Sequence, residues 1–318
     1  MSHEIDESTG VPAIAFVGET PWHGLGQQLQ PGASIQEWTE AAGLNWQVER
    51  SPVEFHTADT VLFMENRHVL YRNDTKAPLS VVSDSYKVVQ PAQILDFFNE
   101  VTNKTSAQLE TAGSLFSGRV IWALARMGED MPIKDDSVAP YIMLSTSYDL
   151  STPTIAKFVA TRIVCNNTIQ LAMNEAGKRQ IRIPHSTDFS ADAVRAGLEI
   201  SFDAFDLFKQ QALKLANKPF ALSDMDKFLV TLLQPTEGEI DGDQIRKSKA
   251  YTSILNLFNG AQMGGNQDAS KATAWGALNA VTEFIDHAKG KNQSARLMDA
   301  WFSTAGKFKE RALEMLVS

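Results

Sequence analysis

A Cys-Asn-Asn-Thr cluster at 165–168 holds the residues in this chain best suited to chemistry. It follows a β-branched, alternating stretch that predicts a strand. Asparagine amides both donate and accept hydrogen bonds, and asparagine tolerates a left-handed backbone. With Arg162 on the strand before them, Asn166 and Asn167 could bind a phosphate or a base edge. The cluster could equally satisfy a strand-to-helix junction, with Asn167 or Thr168 capping a helix over 169–175.

Cys165 is the one cysteine of the chain. A thiol nucleophile needs a base beside it, and no residue close to Cys165 in the sequence offers one. A lone cysteine in an apolar run is more often a buried, unreactive thiol. A single cysteine also excludes an intramolecular disulfide and is typical of a reducing compartment, so we expect a cytoplasmic protein.

Basic residues form the main nucleic-acid signal. Lys178, Arg179 and Arg182 lie on a predicted strand or hairpin arm, and a second group, predicted to open a helix, consists of Arg246, Lys247 and Lys249. Proteins that bind single strands typically combine a cationic groove with rings on which bases can stack. Such rings could come from Tyr86, Tyr148, Tyr251 and Trp275, although each could instead belong to the core.

A weaker alternative is a metal site. Glu283, Asp286 and His287 are spaced so that a helix would bring two carboxylates and an imidazole near one face. Because Asp286 and His287 are adjacent, their side chains diverge, and a further carboxylate would be needed. Polar residues on one face of a surface helix are the ordinary alternative. The chain contains no Cys pair, HExxH motif or P-loop, and no cofactor is expected.

Length and charge set broad limits. The chain has 318 residues, 43% of them hydrophobic, which is enough to bury one large core or two moderate ones. Its apolar runs are too short to span a bilayer, and its acidic start does not resemble a signal peptide. The net charge of −9 arises from the first half of the chain, because residues 1–160 contain 10 Lys and Arg and 20 Asp and Glu. An anionic partner would therefore be met by the second half.

The hydrophobic pattern predicts an α+β fold: a strand-rich antiparallel N-terminal body with inserted helices, followed by a mainly helical C-terminal half. We place the strand-rich domain at 1–188 and the helical region at 189–318. Ser34 predicts the start of a helix because Glu37 completes a capping box. In the second half, helices are predicted over about 190–217, 225–233, 244–259, 270–289 and 294–316.

Five stretches carry a resemblance to a known family. They are Pro21-Trp-His-Gly-Leu-Gly26, Tyr86-Lys-Val-Val-Gln90, Gly118-Arg-Val-Ile-Trp-Ala-Leu-Ala-Arg126, Arg162-Ile-Val-Cys-Asn-Asn-Thr168 and Thr273-Ala-Trp-Gly-Ala-Leu-Asn-Ala-Val-Thr-Glu-Phe-Ile-Asp-His287. Together they resemble the phage/plasmid-like protein family, a domain of unknown function carried by phages, plasmids and conjugative elements. The resemblance covers most of the chain and implies a mobile-element setting without assigning an activity.

The leading hypothesis is a non-enzymatic DNA-binding protein of a mobile element, such as a single-strand annealing or recombination accessory factor. Its expected partner is single-stranded DNA, and it could form a homo-oligomer. One alternative is a metal-dependent nucleic-acid hydrolase built on Glu283, Asp286 and His287. The other is a protein-interaction module that binds host or phage proteins and antagonises host defence. None of the three requires a membrane.

Overall fold

A computed structural model describes residues 5–18, 24–104, 107–162, 167–170, 180–199, 203–235, 238–288 and 304–318. The predicted α+β class is confirmed: antiparallel strands dominate the first half and helices the second. The strands are β1 Ile14–Val17, β2 Gln27–Leu29, β3 Val48–His56, β4 Val61–Arg72, β5 Pro78–Ser83, β6 Ala107–Leu115, β7 Val120–Met127, β8 Met131–Ile133, β9 Asp136–Ser147, β10 Thr154–Arg162, β11 Asn167–Gln170 and β12 Gln180–Ile183. The helices are α1 Ile35–Ala41, α2 Pro91–Lys104, α3 Ala191–Glu199, α4 Asp203–Asn217, α5 Leu222–Leu232, α6 Gly242–Arg246, α7 Lys249–Asn256, α8 Ala274–Glu283 and α9 Thr304–Val317.

The larger sheet has the strand order β11-β10-β9-β7-β6-β1-β2. Its pairings are antiparallel apart from the parallel pair of β1 and β2. Consecutive antiparallel pairing of β6, β7, β9 and β10 forms the centre of the sheet. Two short strands lie off this path: β8 pairs with β9, and β12 pairs with β10. The end of the sheet at β10 therefore carries two strands, β11 and β12, along its outer edge.

Alternation along the strands gives this sheet two buried faces. On one face, Phe158 of β10 packs edge-to-face on Phe205 of α4, with ring centroids 4.7 Å apart, within a core that also includes α2, α5 and α8. On the other face, Trp122, Tyr141 and Val159 join a smaller cluster. One continuous core thus draws on both halves of the chain. The predicted boundary at 188/189 falls between β12 and α3 and stays a prediction.

A second, three-stranded sheet has the order β3-β4-β5. Its base is anchored by Arg72, which is fully buried and pairs with Asp6 and Asp74. The guanidinium also lies 4.3 Å from the ring centroid of Trp46. Two carboxylates and an aromatic face together compensate the cost of burying this charge.

Local sequence signals locate several elements correctly. The Ser34–Glu37 capping box is present and α1 begins at Ile35. The helix expected over 244–259 is instead two helices, because Ser248 accepts a hydrogen bond from the Tyr251 N–H and caps the start of α7. The helix expected over about 190–217 corresponds to α3 and α4, and the residues that separate them lie outside the described part of the chain. Among the helices of the described ranges, none combines the length and the apolar character that crossing a bilayer requires.

Candidate nucleic-acid interface

The outer edge of β10 brings together residues that are distant in sequence. β11 pairs with the second half of β10, so Arg162 and Asn167 lie opposite each other in register. β12 pairs with the first half, which sets Arg182 opposite Ile155. Arg162, Asn167 and Arg182 therefore lie along one sheet edge. Because 155 and 162 are an odd number of residues apart, the register position of Arg182 is on the opposite face of the sheet from those of Arg162 and Asn167. From 155 to 162 this edge spans about 23 Å at the usual rise of a strand.

The same segment is a basic island in an acidic chain. Residues 154–183 contain five Lys and Arg against a single Glu, whereas the whole chain has a net charge of −9. Arg182 is exposed, and no carboxylate of the described residues forms an ion pair with it. An exposed, unneutralised guanidinium is suited to bind phosphate in a bidentate way.

Lys157 is the one basic residue of this edge shown to be buried. Its side chain is 4% exposed on β10, and burial lowers its pKa to about 7, which the nearby Glu310 of α9 partly opposes. A lysine that is half neutral at pH 7 contributes less positive charge to the edge than its residue type suggests. The burial of Lys157 was not predicted, although its position inside the apolar run Ile-Ala-Lys-Phe-Val indicates it.

The structure describes several of the predicted site residues only in their backbone, or not at all. Cys165, Asn166, Lys178 and Arg179 are outside the described residues, and Arg162 and Asn167 are described in their backbone alone. The backbone of Asn167–Gln170 forms strand β11. The expectation of a helix beginning there is therefore wrong for these residues, because pairing with β10 satisfies their backbone groups instead.

The second basic group lies elsewhere, at the junction of α6 and α7. Arg246 ends α6, Lys247 caps it, and Lys249 begins α7, so the group separates two helices instead of opening one. These helices pack on α5 and α8, whereas β12 packs on β10 and α3. Among the described residues, Arg182 and the group at the α6–α7 junction therefore lie on separate elements.

Arg246 is already neutralised by neighbouring carboxylates. Its Nε and Nη2 donate to the two oxygens of Asp226 at 2.8 and 2.9 Å, and Nη1 donates to Asp243 at 3.0 Å. Hydrogen bonds from Arg246, and then from Tyr251, lower the pKa of Asp226 to about 2. Lys247 and Lys249 are exposed, without an ion pair to any described residue. Of this group, Arg246 is thus the least suited to meet a phosphate.

The four rings considered for stacking are core residues. Tyr86, Tyr148, Tyr251 and Trp275 are all buried. The Tyr251 hydroxyl donates to Asp226 at 2.6 Å, and Trp275 Nε1 donates to Asp136 at 2.9 Å. None of the four can meet a base at the surface, so contacts to the DNA backbone would have to supply the affinity.

The candidate metal ligands have protein partners. The backbone N–H of Met263 donates to Glu283, 3.1 Å from Oε2, and Lys309 of α9 donates to Asp286. From Phe284 to Ala288 the helix has π geometry, so the spacing assumed for a regular α-helix does not hold across these residues. His287 is described in its backbone alone. Within the described ranges, no group of three or more His, Cys, Asp or Glu side chains could hold a metal ion.

Residues 78–302 match the profile of the family described as Domain of unknown function (DUF932). The chain belongs to this family. The DUF932 segment begins at β5 and contains β10, β12 and α8, whereas β3, β4 and α9 lie outside it. The prediction of a domain of unknown function is confirmed, and the phage and plasmid setting stays a prediction. Comparisons with curated proteins and with solved structures gave no match.

Proposed function

We propose that this DUF932 protein binds single-stranded DNA along the outer edge of β10 and does so without catalysing a reaction on it. The observation that carries the proposal is the pairing of both β11 and β12 with β10, which brings Arg162, Asn167 and Arg182 to the same edge of the sheet, with Arg182 at a register position on the opposite face. The overall charge of the chain does not predict a basic edge, because the molecule is acidic as a whole.

The physical basis is local positive charge combined with hydrogen-bonding groups. Guanidinium groups neutralise phosphates and release counterions, which supplies sequence-independent affinity. The amides at 166 and 167 are chemically able to bond a phosphate oxygen or a base edge. The acidic charge of the remaining surface repels the DNA backbone and so favours binding at this edge.

Fluorescence anisotropy at low salt, with a labelled single strand and the matching duplex, tests the proposal. We expect binding of the single strand that is weakened by Arg182→Glu. Lys247→Glu makes the same change of charge at the α6–α7 junction and is the matched control. Absence of binding at low salt would refute the proposal, and an equal loss in both variants would exclude the β10 edge as the site.

A more specific proposal is a role in strand annealing or recombination, which requires more than binding a single strand. An annealing protein must hold two complementary strands and release them as a duplex. Mixing complementary labelled strands with the protein and following energy transfer between the labels measures this directly. Acceleration of pairing by the wild type, reduced in Arg182→Glu, would support annealing, whereas binding without acceleration would limit the function to single-strand binding.

A further inference from the structure

β12 is a short strand that carries one arginine of the proposed DNA edge. Four residue pairs join it to β10. Its Ile181 and Ile183 are only half-buried against the main core, and Arg182 between them is exposed. Because so short a strand gains little from burial, contacts beyond its end decide how firmly it stays paired.

His185 fixes the chain directly after β12. Its Nε2 lies 2.9 Å from the carbonyl oxygen of Thr152, in the loop between β9 and β10. A carbonyl oxygen only accepts hydrogen bonds, so Nε2 carries a proton and is the donor. The ring also stacks on Tyr86, with centroids 4.6 Å apart and planes inclined by 24°. The backbone N–H of Lys87 donates to the carbonyl of His185. These three contacts are here termed the His185 anchor.

The groups that His185 contacts are themselves held in place by the body of the fold. The Tyr86 hydroxyl donates to the carbonyl of Ser147 at 2.8 Å, and the Ser147 hydroxyl donates to the carbonyl of Thr152 at 2.7 Å. Arg50 of β3 donates to the carbonyl of Tyr86. The anchor therefore ties the end of β12 to two fixed loops, three residues after Arg182.

The second ring nitrogen of His185 is buried without a hydrogen bond. Nδ1 is closed to solvent and has no partner among the described residues, and Oγ1 of Thr152 is in the same condition. A neutral Nδ1 carries no hydrogen, whereas protonation would place a charged N–H where no described group accepts it. The cost of such a buried, unsatisfied donor opposes protonation while the anchor is closed.

The charged groups of the anchoring segments do not offset this cost. These groups are Arg50 of β3, Asp84 and Lys87 of the β5–α2 loop, Asp149 of the β9–β10 loop, and Arg182 and Asp188 of the anchored segment. Lys87 and Asp188 pair at 3.5 Å, and Arg50 and Asp149 act on Tyr86 with opposite sign. Among the described residues, no carboxylate forms an ion pair with the His185 ring.

The pKa of His185 indicates the pH range in which the anchor weakens. Burial lowers this pKa from its ordinary value of 6.5, and hydrogen bonds with the backbone of Thr152 and Lys87 oppose the shift. The released ring therefore binds its second proton more tightly than the anchored ring does. The anchor keeps its full stability above pH 6.5 and loses stability as the pH falls below this value.

We propose that His185 positions Arg182 at the β10 edge, and that protonation of the ring releases the end of β12 and lowers the affinity for single-stranded DNA. The consequence for DNA rests on the proposed function, whereas the release itself does not. An anchored Arg182 is pre-organised for a phosphate, and a released one must first be ordered, which costs conformational entropy. His185 acts through β12, which makes it a positioning residue.

Hydrogen exchange on the full-length, DNA-free protein tests the release. Exchange of residues 180–188 is followed by mass spectrometry at pH 7.5 and pH 5.0 for the wild type and for His185→Gln. Glutamine keeps an N–H donor near the position of Nε2 but does not titrate. We expect the two proteins to differ more at one pH than at the other, with the wild type losing protection at pH 5.0 and His185→Gln not losing it.

Two controls separate local release from other effects of acid. His56→Gln removes an exposed histidine at the end of β3 and should behave as the wild type does. Residues 141–147 of the buried strand β9 should keep their protection at both pH values, which excludes global unfolding. Because each comparison is made at one pH, the pH dependence of the chemical exchange rate cancels.

The DNA consequence is measured by anisotropy with a labelled single strand at the same two pH values. The ratio of the wild-type Kd to the Kd of His185→Gln should rise by at least about twofold between pH 7.5 and pH 5.0, which corresponds to release of half of the molecules. Taking this ratio removes the general effect of acid on the charge of the protein.

Two results would overturn the inference. One is a difference in exchange between the wild type and His185→Gln that is the same at both pH values, which would show that protonation of His185 does not release β12. The other is release of residues 180–188 without a rise in the Kd ratio, which would remove the positioning role. A protein that binds no single-stranded DNA at either pH refutes the proposed function instead, and the exchange experiment still decides whether the anchor opens.

Discussion

Lys309 donates a hydrogen bond to Asp286 in an ion pair whose side chains are 0% and 9% exposed. The pair joins α9 to the π-helical turn that follows α8. Burial lowers the pKa of Lys309, and the carboxylate of Asp286 opposes this effect. Asp286 is therefore a structural partner of a buried charge, which gives it a role independent of any metal.

Asp286→Asn should destabilise the fold. The substitution keeps the shape of the side chain but removes the negative charge beside a buried lysine, and the loss of one partner of a buried pair typically costs about 3–5 kcal/mol. Urea unfolding followed by circular dichroism measures the change in the free energy of unfolding. Asp243→Asn removes the charge of an exposed partner of Arg246 and should cost less than about 1 kcal/mol. Similar values for the two variants would contradict this view of Asp286.

Lys157 should make the free energy of unfolding depend on pH above neutrality. Its pKa is about 7 in the folded protein and about 10.5 in the unfolded chain. Between these values the unfolded chain binds more protons, so stability rises with pH, and below pH 7 the contribution stays constant. From pH 7 to pH 9 the rise from this group is about 2 kcal/mol.

Urea unfolding of the wild type and of Lys157→Met at the two pH values isolates this contribution. Methionine has similar length but does not titrate, so the variant should lack the rise that Lys157 causes. Other groups that titrate in this range affect both proteins equally and cancel in the difference. Parallel pH profiles would show that Lys157 keeps its proton in the folded state.

Local sequence signals predicted elements whose causes are local. The Ser34–Glu37 capping box fixed the start of α1, and alternation predicted β10. The break between α6 and α7 was not predicted. The basic residues before Ser248 are compatible both with one continuous helix and with a junction between two helices. Alternation predicts strands over 45–53, 60–64 and 68–72, but β3 continues to His56 and β4 runs unbroken from Val61 to Arg72. The length of these strands depends on their pairing with each other, which is a non-local property.

The candidate site was predictable as residue types but not as an arrangement. Arg162, Asn167 and Arg182 were each identified from the sequence, yet their placement at one sheet edge, and on which of its faces, depends on β11 and β12 both pairing with β10. Such pairing is determined by tertiary packing, which periodicity does not reveal. Conversely, residue type alone makes Arg246 and Arg182 equal candidates, and only the fold brings Asp226 to Arg246 from another helix.

The two arginines should therefore differ in their effect on the salt dependence of DNA binding. Each phosphate neutralised on a single strand contributes about 0.7 to the slope of log affinity against log salt. Arg182→Gln should reduce the magnitude of the slope by about this amount, because its guanidinium has no carboxylate partner among the described residues. Arg246→Gln should leave the slope unchanged, since Asp226 and Asp243 already neutralise that charge. Anisotropy titrations of the two variants over a range of salt concentrations measure both slopes, and equal reductions would show that carboxylate pairing does not distinguish these arginines toward DNA.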